Sequence, residues 1–212
     1  MKGRNGTVWI NLGLLLVAAA LFLAVYNTHE ARQAQEQASA IITQLSEDLP
    51  KPTDYSGQSA DAALPADFPE PEKEMPVKTM NGQDYIGVLT IPALELELPV
   101  ISQWSYPRLK IAPCRYSGSV YRDDMIIAAH NYSTHFGRLR ELRPGDLIMF
   151  TDMEENTVTY EVSCLESLMP ADTEEMESGD WDLTLFTCTL GGQSRVTVRC
   201  IRTDSPDAIS AP

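Results

Sequence analysis

The chain has 212 residues, of which 30 are acidic and 16 basic, giving a formal charge of −14. That balance argues against nucleic acid as a partner, because phosphate binding needs a basic surface that releases counterions. An acidic exterior is compatible with amine-bearing partners, although solubility alone would also account for it.

Lys2 and Arg4 precede Val8 to Val25, a run without charge in which Asn11 is the only strongly polar residue. At about 1.5 Å per residue a helix over this run is about 27 Å long, close to the hydrocarbon thickness of a bilayer. The sequence therefore predicts a short basic cytoplasmic N-terminus at 1–7 and a transmembrane signal-anchor helix at 8–26. Basic residues before the span and His29-Glu30 after it place the rest of the chain on the extracellular face of the cell membrane. A cleaved signal peptide has a shorter apolar region ending near a small-x-small site, which Leu23-Ala24-Val25-Tyr26 does not offer.

Glu30 to Leu49 is rich in Ala, Gln and Glu and lacks Pro and Gly, which predicts a helical stalk over 27–49. Six prolines and many acids between Pro50 and Pro76 predict an extended, disordered spacer over 50–80 that gives reach. The remaining chain is long enough for one compact domain with its own core, at 81–204. A flexible tail is expected at 205–212.

From Asp84 onward short alternating or apolar runs are broken by turns, the pattern of a mainly β domain. Tyr85 to Ile91 reads as a strand stopped by Pro92, and Leu96 to Ile101 as a second. Met125 to Ala129 reads as a buried strand that delivers His130 at its end. Phe136, Leu139 and Leu142 recur at threes, which predicts a helical turn or two. Arg143-Pro144-Gly145-Asp146 has the residues of a type II turn, and LIMFT then pairs as a hairpin with TVTYEVSC.

The four cysteines, Cys114, Cys164, Cys188 and Cys200, form no C-x-x-C pair, which argues against a zinc site. Disulfides are possible on the outer face. Cys164 shares a period-two face with Val158, Tyr160 and Val162, and Cys200 one with Val196 and Val198, so both are expected in the core. Cys188 ends the run LTLFTC and precedes a Gly-Gly loop. That places its thiol at a strand end near solvent, where reactive thiols are found.

A cysteine nucleophile needs a base or a cation, and a group that holds the oxyanion it creates. His130 is fixed at a strand end, whereas His135 lies in a loop and His29 beside the membrane. Arg195 opens the strand after the Gly-Gly loop, which returns it towards Cys188. On spacing alone a structural role for each of these residues stays open.

Taken together, these motifs resemble the sortase family. Thr184-Leu185-Phe186-Thr187-Cys188 is similar to its TLxTC strand end, IIAAHN to the segment carrying its histidine, and Arg195 in SRVTVRC to the arginine opening its last strand. YIGVLTIPALELELPV is similar to its first two strands. The likeness covers about Asp84 to Arg202, with Ala129 standing where many members have Gly.

The resemblance implies an eight-stranded sortase-type β-barrel with short helices, preceded by the transmembrane helix. It implies a cysteine transpeptidase in which Cys188 attacks the threonine carbonyl of an LPxTG-like sorting signal. His130 would protonate the departing amine, and Arg195 would hold the substrate backbone and oxyanion. Thr187 and Thr189, flanking the thiol, are the candidate substrate contacts. The partners implied are secreted proteins with a C-terminal sorting signal, and an amine on a cell-wall precursor or a pilin. No cofactor or metal is expected, and a calcium requirement is left open. No second apolar span follows Arg202, which tilts the expectation from pilin assembly towards wall anchoring. The acidic stretch Ala171 to Asp182 falls where the family has a loop bordering the substrate groove. Two other readings stay open: an outer-face cysteine peptidase that releases the acid, and a membrane-tethered β-domain that only binds.

Overall fold

The computed structural model describes residues 4–48, 74–189 and 191–203. The expected tail at 205–212, and the expected spacer up to residue 73, lie outside these. Helix α1, Arg4–Asp48, is continuous, so the predicted span and stalk form one element. Within it Val8–Tyr26 is long and apolar enough to cross a membrane, with a mean hydropathy of 2.5, and this suggests membrane anchoring. Towards its other end Ala38 and Ile41 are buried. Ile41 packs with Tyr85, Ile101, Ala112 and Cys114, so the stalk docks on the folded domain.

The β-structure begins earlier than composition predicts. Strand β1, Lys78–Met80, pairs antiparallel with β2, Gln83–Ile91. Asn81 and Gly82 join them with φ of 50° and 74°, the positive values that the tight hairpin turn requires. Met75, still further upstream, is buried in the main core. Residues 75–80 therefore belong to the domain and not to the spacer.

Strands β3 (Leu96–Ile101), β4 (Cys114–Ser117), β5 (Met125–Ala128), β6 (Leu147–Asp152), β7 (Thr157–Leu168), β8 (Leu183–Cys188) and β9 (Arg195–Arg202) follow. Their spatial order is β2-β3-β4-β5-β8-β9-β7-β6, and β6 pairs back onto β2. Eight strands thus close a barrel, with β1 added outside it. The closure needs Gly87, since a Cβ there would lie 2.3 Å from the Thr151 carbonyl and 2.5 Å from the Phe150 ring. The pairs β3–β4 and β5–β8 are parallel, and short helices α2 (Tyr106–Leu109) and α3 (Thr173–Glu177) lie in the connections.

Alternate residues of each strand fill the barrel: Met125 and Ile127 from β5, Leu183 and Leu185 from β8, Val198 and Cys200 from β9. The opposite face of the same strands is also covered. Ile126, Ala128, Leu168, Met176 and Phe186 form a second apolar cluster outside the barrel. Both faces of these central strands are therefore buried, which explains their near-continuous apolar runs.

Cys200 is buried as the strand pattern predicts, but Cys164 is only half-buried. The pairing of β7 with β9 slips between Val162 and Cys164. Such a bulge inserts a residue and turns the following side chains to the opposite face. Leu165, not Cys164, then packs against the core. All four cysteines are free thiols.

Candidate active site

Cys188 is the last residue of β8 and the only exposed one in that strand. The β8–β9 register makes Arg195 its direct Cα partner. On the other side of β8, the parallel register pairs Ala128 with Phe186. One residue on, the Ala129 N–H donates to the Phe186 carbonyl at 3.2 Å. The chain leaving β5 therefore delivers His130 beside the end of β8. Three adjacent strands, β5, β8 and β9, bring His130, Cys188 and Arg195 to one end of the barrel, with the thiol strand in the middle.

The alternation also assigns a face. Phe186 and Cys188 lie two apart on the outer side of β8, opposite Thr197 and Arg195 of β9. The Arg195 guanidinium sits 5.3 Å from the centroid of the Phe186 ring, so it lies on the same side as the thiol. Its Nη1 is buried and meets no hydrogen-bond partner among the described residues. A buried, unmet guanidinium N–H is costly unless something else satisfies it, and it is the kind of donor that holds a developing oxyanion.

Arg199, four residues along the same face, is the contrasting case. Its Nε donates to Glu166 at 2.6 Å, its Nη1 to the Met176 carbonyl at 2.8 Å and to Thr184 Oγ1 at 3.0 Å, and its Nη2 to the Glu175 carbonyl at 2.6 Å. These four bonds tie that guanidinium to α3 and to the neighbouring strands β7 and β8. Met176, at the centre of the acidic stretch, is buried beside Phe186, so this loop rests on the face that carries Cys188.

The flanking threonines both spend their hydroxyls within the fold. Thr187 faces inwards, is only 3% exposed, and donates its hydroxyl to the Ala129 carbonyl at 2.8 Å. Period-two alternation forbids it from sharing a face with Cys188. Thr189 spends its hydroxyl within the β8–β9 loop, donating to the Ser194 carbonyl at 3.0 Å and accepting the Ser194 N–H at 3.1 Å. Neither offers a free side chain to a substrate on the thiol face.

Residues that the sequence reading did not single out complete the surface. The Tyr116 ring meets Phe186 edge-on at 5.4 Å, and Trp104 lies 5.6 Å from Tyr116. This aromatic row runs from the thiol to an open cavity of about 440 Å³ lined by Trp104, Tyr116, Arg115 and Arg122 among others. Period two in β8 could have revealed Phe186. Period two in β4 likewise puts Tyr116 on the outer side with Cys114, the partner of Ala128.

The two domain histidines differ in environment. His130 is half-buried, and His135 is fully enclosed. Burial, and secondarily the nearby His130, lower the His135 pKa to about 4, so it is neutral at physiological pH. Cys114 shows the same desolvation with the opposite sign, its thiol pushed up to about 12. Burial likewise pushes the Cys200 thiol up. These two are inert protonated thiols at neutral pH. Among the described residues no cluster of three or more His, Cys, Asp or Glu side chains could hold a metal ion.

Residues 89–203 match the family model described as a sortase domain. Over 184 residues the chain is 23% identical to a sortase A from Bacillus anthracis, covering 82% of this chain and 83% of that one. Among solved structures, sortase C1 from Streptococcus agalactiae superposes with a TM-score of 0.52 at 24% identity, over 60% of this chain and 72% of that one. Sortase C from Clostridium perfringens gives 0.51 at 24%, over 58% and 72%.

Proposed function

The chain belongs to the sortase family, a family of cysteine transpeptidases that act in cell-wall sorting, and on that premise we propose that it is a membrane-anchored transpeptidase with Cys188 as nucleophile. The Cys188 thiolate attacks the threonine carbonyl of an LPxTG-like sorting signal, and Arg195 Nη1 donates to the oxyanion. As the peptide C–N bond breaks, His130 gives a proton to the leaving amine, and a thioester remains on Cys188. An acceptor amine then attacks the thioester and loses its proton to His130. The new amide departs and the thiolate is restored. The acceptor is an amine of a wall precursor or of a pilin subunit. The donor is a secreted protein carrying the signal at its C-terminus, lying over Phe186 and Tyr116.

The observation that carries this reading is the convergence of an exposed thiol, a cross-strand arginine with a buried unmet N–H, and a histidine-bearing strand end on three neighbouring strands. The C. perfringens relative was solved with the C-terminal cell wall sorting motif, which motivates the choice of donor peptide. The catalytic side is assigned to the extracellular face because the basic residues precede the apolar helix.

The test incubates the full chain in detergent with LPxTG-type peptides, with and without an oligoglycine or a diaminopimelate-containing stem peptide. Mass spectrometry then reads the products. Cleavage after threonine, a thioester adduct on Cys188, and diversion of product to the amide are expected. Hydrolysed acid alone across a broad acceptor panel assigns a peptidase instead. An intact peptide with an unlabelled Cys188 leaves only a binding role.

A further inference from the structure

The loop that leaves β5 brings three rings into contact. Tyr132 lies against His130 with centroids 4.9 Å apart and planes 24° from parallel. On its other contact it meets His135 at 5.5 Å and 51°. The backbone closes tightly round these rings. The N–H groups of His135 and Gly137 both donate to the Tyr132 carbonyl at 2.9 Å, and the Phe136 N–H donates to the His130 carbonyl at 3.1 Å.

That closure depends on a glycine. A Cβ at Gly137 would lie 2.4 Å from the Asn131 carbonyl and 2.8 Å from the Tyr132 carbonyl. Phe136, Leu139 and Leu142 anchor the far side of the loop in the main core. His135 is completely buried, and neither of its ring nitrogens meets a partner among the described residues. A fully buried imidazole without partners is expensive, so stability alone does not favour it there. Kept neutral by burial, it touches the phenol ring without adding a second positive charge near His130.

We propose that Tyr132 is a positioning residue for His130: stacked on its imidazole and held in contact with His135 by the closed turn, its ring fixes the plane in which His130 meets Cys188. The phenol face also suits the imidazolium form, because an aromatic face attracts a cation. His135 is the second contact of this ring and takes no part in proton transfer. The inference rests on the reading of Cys188 and His130 as the reacting pair, and its test separates the two.

The experiment compares wild type, Tyr132→Phe, Tyr132→Leu and His135→Phe in the full chain. Tyr132→Leu removes the ring while keeping bulk, and is expected to lower kcat about 10- to 100-fold with KM within about twofold, the scale of a small misplacement of a reacting group. Tyr132→Phe keeps the stack and should retain activity within about threefold, as should His135→Phe, since the hydroxyl and the second imidazole are not used in the chemistry. Histidine-selective 13C labelling gives three ring signals, one for each histidine. The His130 signal should carry a ring-current shift in wild type and Tyr132→Phe that disappears in Tyr132→Leu.

A Tyr132→Leu enzyme with unchanged kcat, or one altered only in KM, overturns the positioning role. So does a His130 signal that ignores the substitution. Loss of activity in Tyr132→Phe assigns the hydroxyl a role in the chemistry and overturns it as well. Wild type without cleavage or transfer overturns the functional reading alone, and the NMR arm then still decides the stack.

Discussion

Thr187 Oγ1 donates to the carbonyl of Ala129 at 2.8 Å, a buried bond between the residue before the thiol and the residue before the histidine. It pins the ends of two parallel strands where their ladder stops. The relative position of Cys188 and His130 is thus set by neither side chain but by their neighbours.

Thr187→Val keeps shape and burial but leaves the Ala129 carbonyl without this donor. The loss expected is about 1–2 kcal/mol of stability and about tenfold in kcat from the loosened strand ends. Thr187→Ser restores the hydroxyl and should recover most of both. Steady-state kinetics and denaturant melts of the three proteins check this, and a valine variant with wild-type kcat would remove the assignment.

Arg195 and Arg199 share a face, yet the first has an unmet buried N–H and the second makes four hydrogen bonds. Arg195→Ala is expected to lose at least about 100-fold in rate, the scale of one oxyanion donor, with little change in melting. Arg199→Ala reverses the pattern. It should cost about 2–4 kcal/mol, because it leaves the α3 carbonyls that Arg199 holds without their donor, with far less effect on rate below its melting temperature. The reverse order of rate losses would exchange their roles.

Cys188 is the only exposed thiol. Replacing Cys114, Cys164 and Cys200 together by alanine is expected to cost stability, about 1 kcal/mol per buried site, and to leave an active enzyme that iodoacetamide still inactivates. Peptide mapping of the alkylated wild type at neutral pH should find Cys188 modified first, since burial keeps Cys114 and Cys200 protonated. Prior modification of any other cysteine would contradict the thiol assignment.

His135 predicts a pH dependence of stability with a definite sign. In the folded chain it ionises at about 4, and in the unfolded chain at about 6.5. Between these values the unfolded state binds more protons, so stability falls as the pH is lowered from about 6.5 to about 4 and this contribution levels off below. The loss approaches about 3 kcal/mol. His135→Phe cannot titrate and should lack this part of the slope. The difference in unfolding free energy between the two proteins, measured across that window, reports it directly, and a constant difference would refute it.

The fold and the convergence of Cys188, His130 and Arg195 on one end of the barrel were legible because both are properties of strand ends. LTLFTC followed by Gly-Gly, MIIAA followed by His130, and Arg195 after the loop each mark where a strand stops, and the closed barrel brings those stops together. What escaped depends on side-chain direction or on long-range pairing. A bulge inserts one residue and turns Cys164 from the core, and nothing in TVTYEVSC announces it. Thr187 was read as a neighbour of the thiol when alternation sends it to the opposite face. The Asn81-Gly82 hairpin turn is a local signal, but the strand it returns, Lys78–Met80, lies inside the stretch assigned to the spacer. The Tyr132 stack needs the closed turn, which a linear reading of HNYSTHFG does not supply.

The docking of Ile41 against Tyr85 and Ile101 alters the mechanics of the whole chain. Helix α1 runs unbroken from Tyr26, at the end of the apolar span, to this contact, and at about 1.5 Å per residue the intervening rise is about 22 Å. With the span in a bilayer, the barrel is mounted on a stiff post of fixed height. The working altitude of Cys188 is then a property of helix length. One helical turn inserted between Tyr26 and Ala38 would lift the site by about 5.4 Å, whereas changing the length of 49–73 would leave its height unaltered.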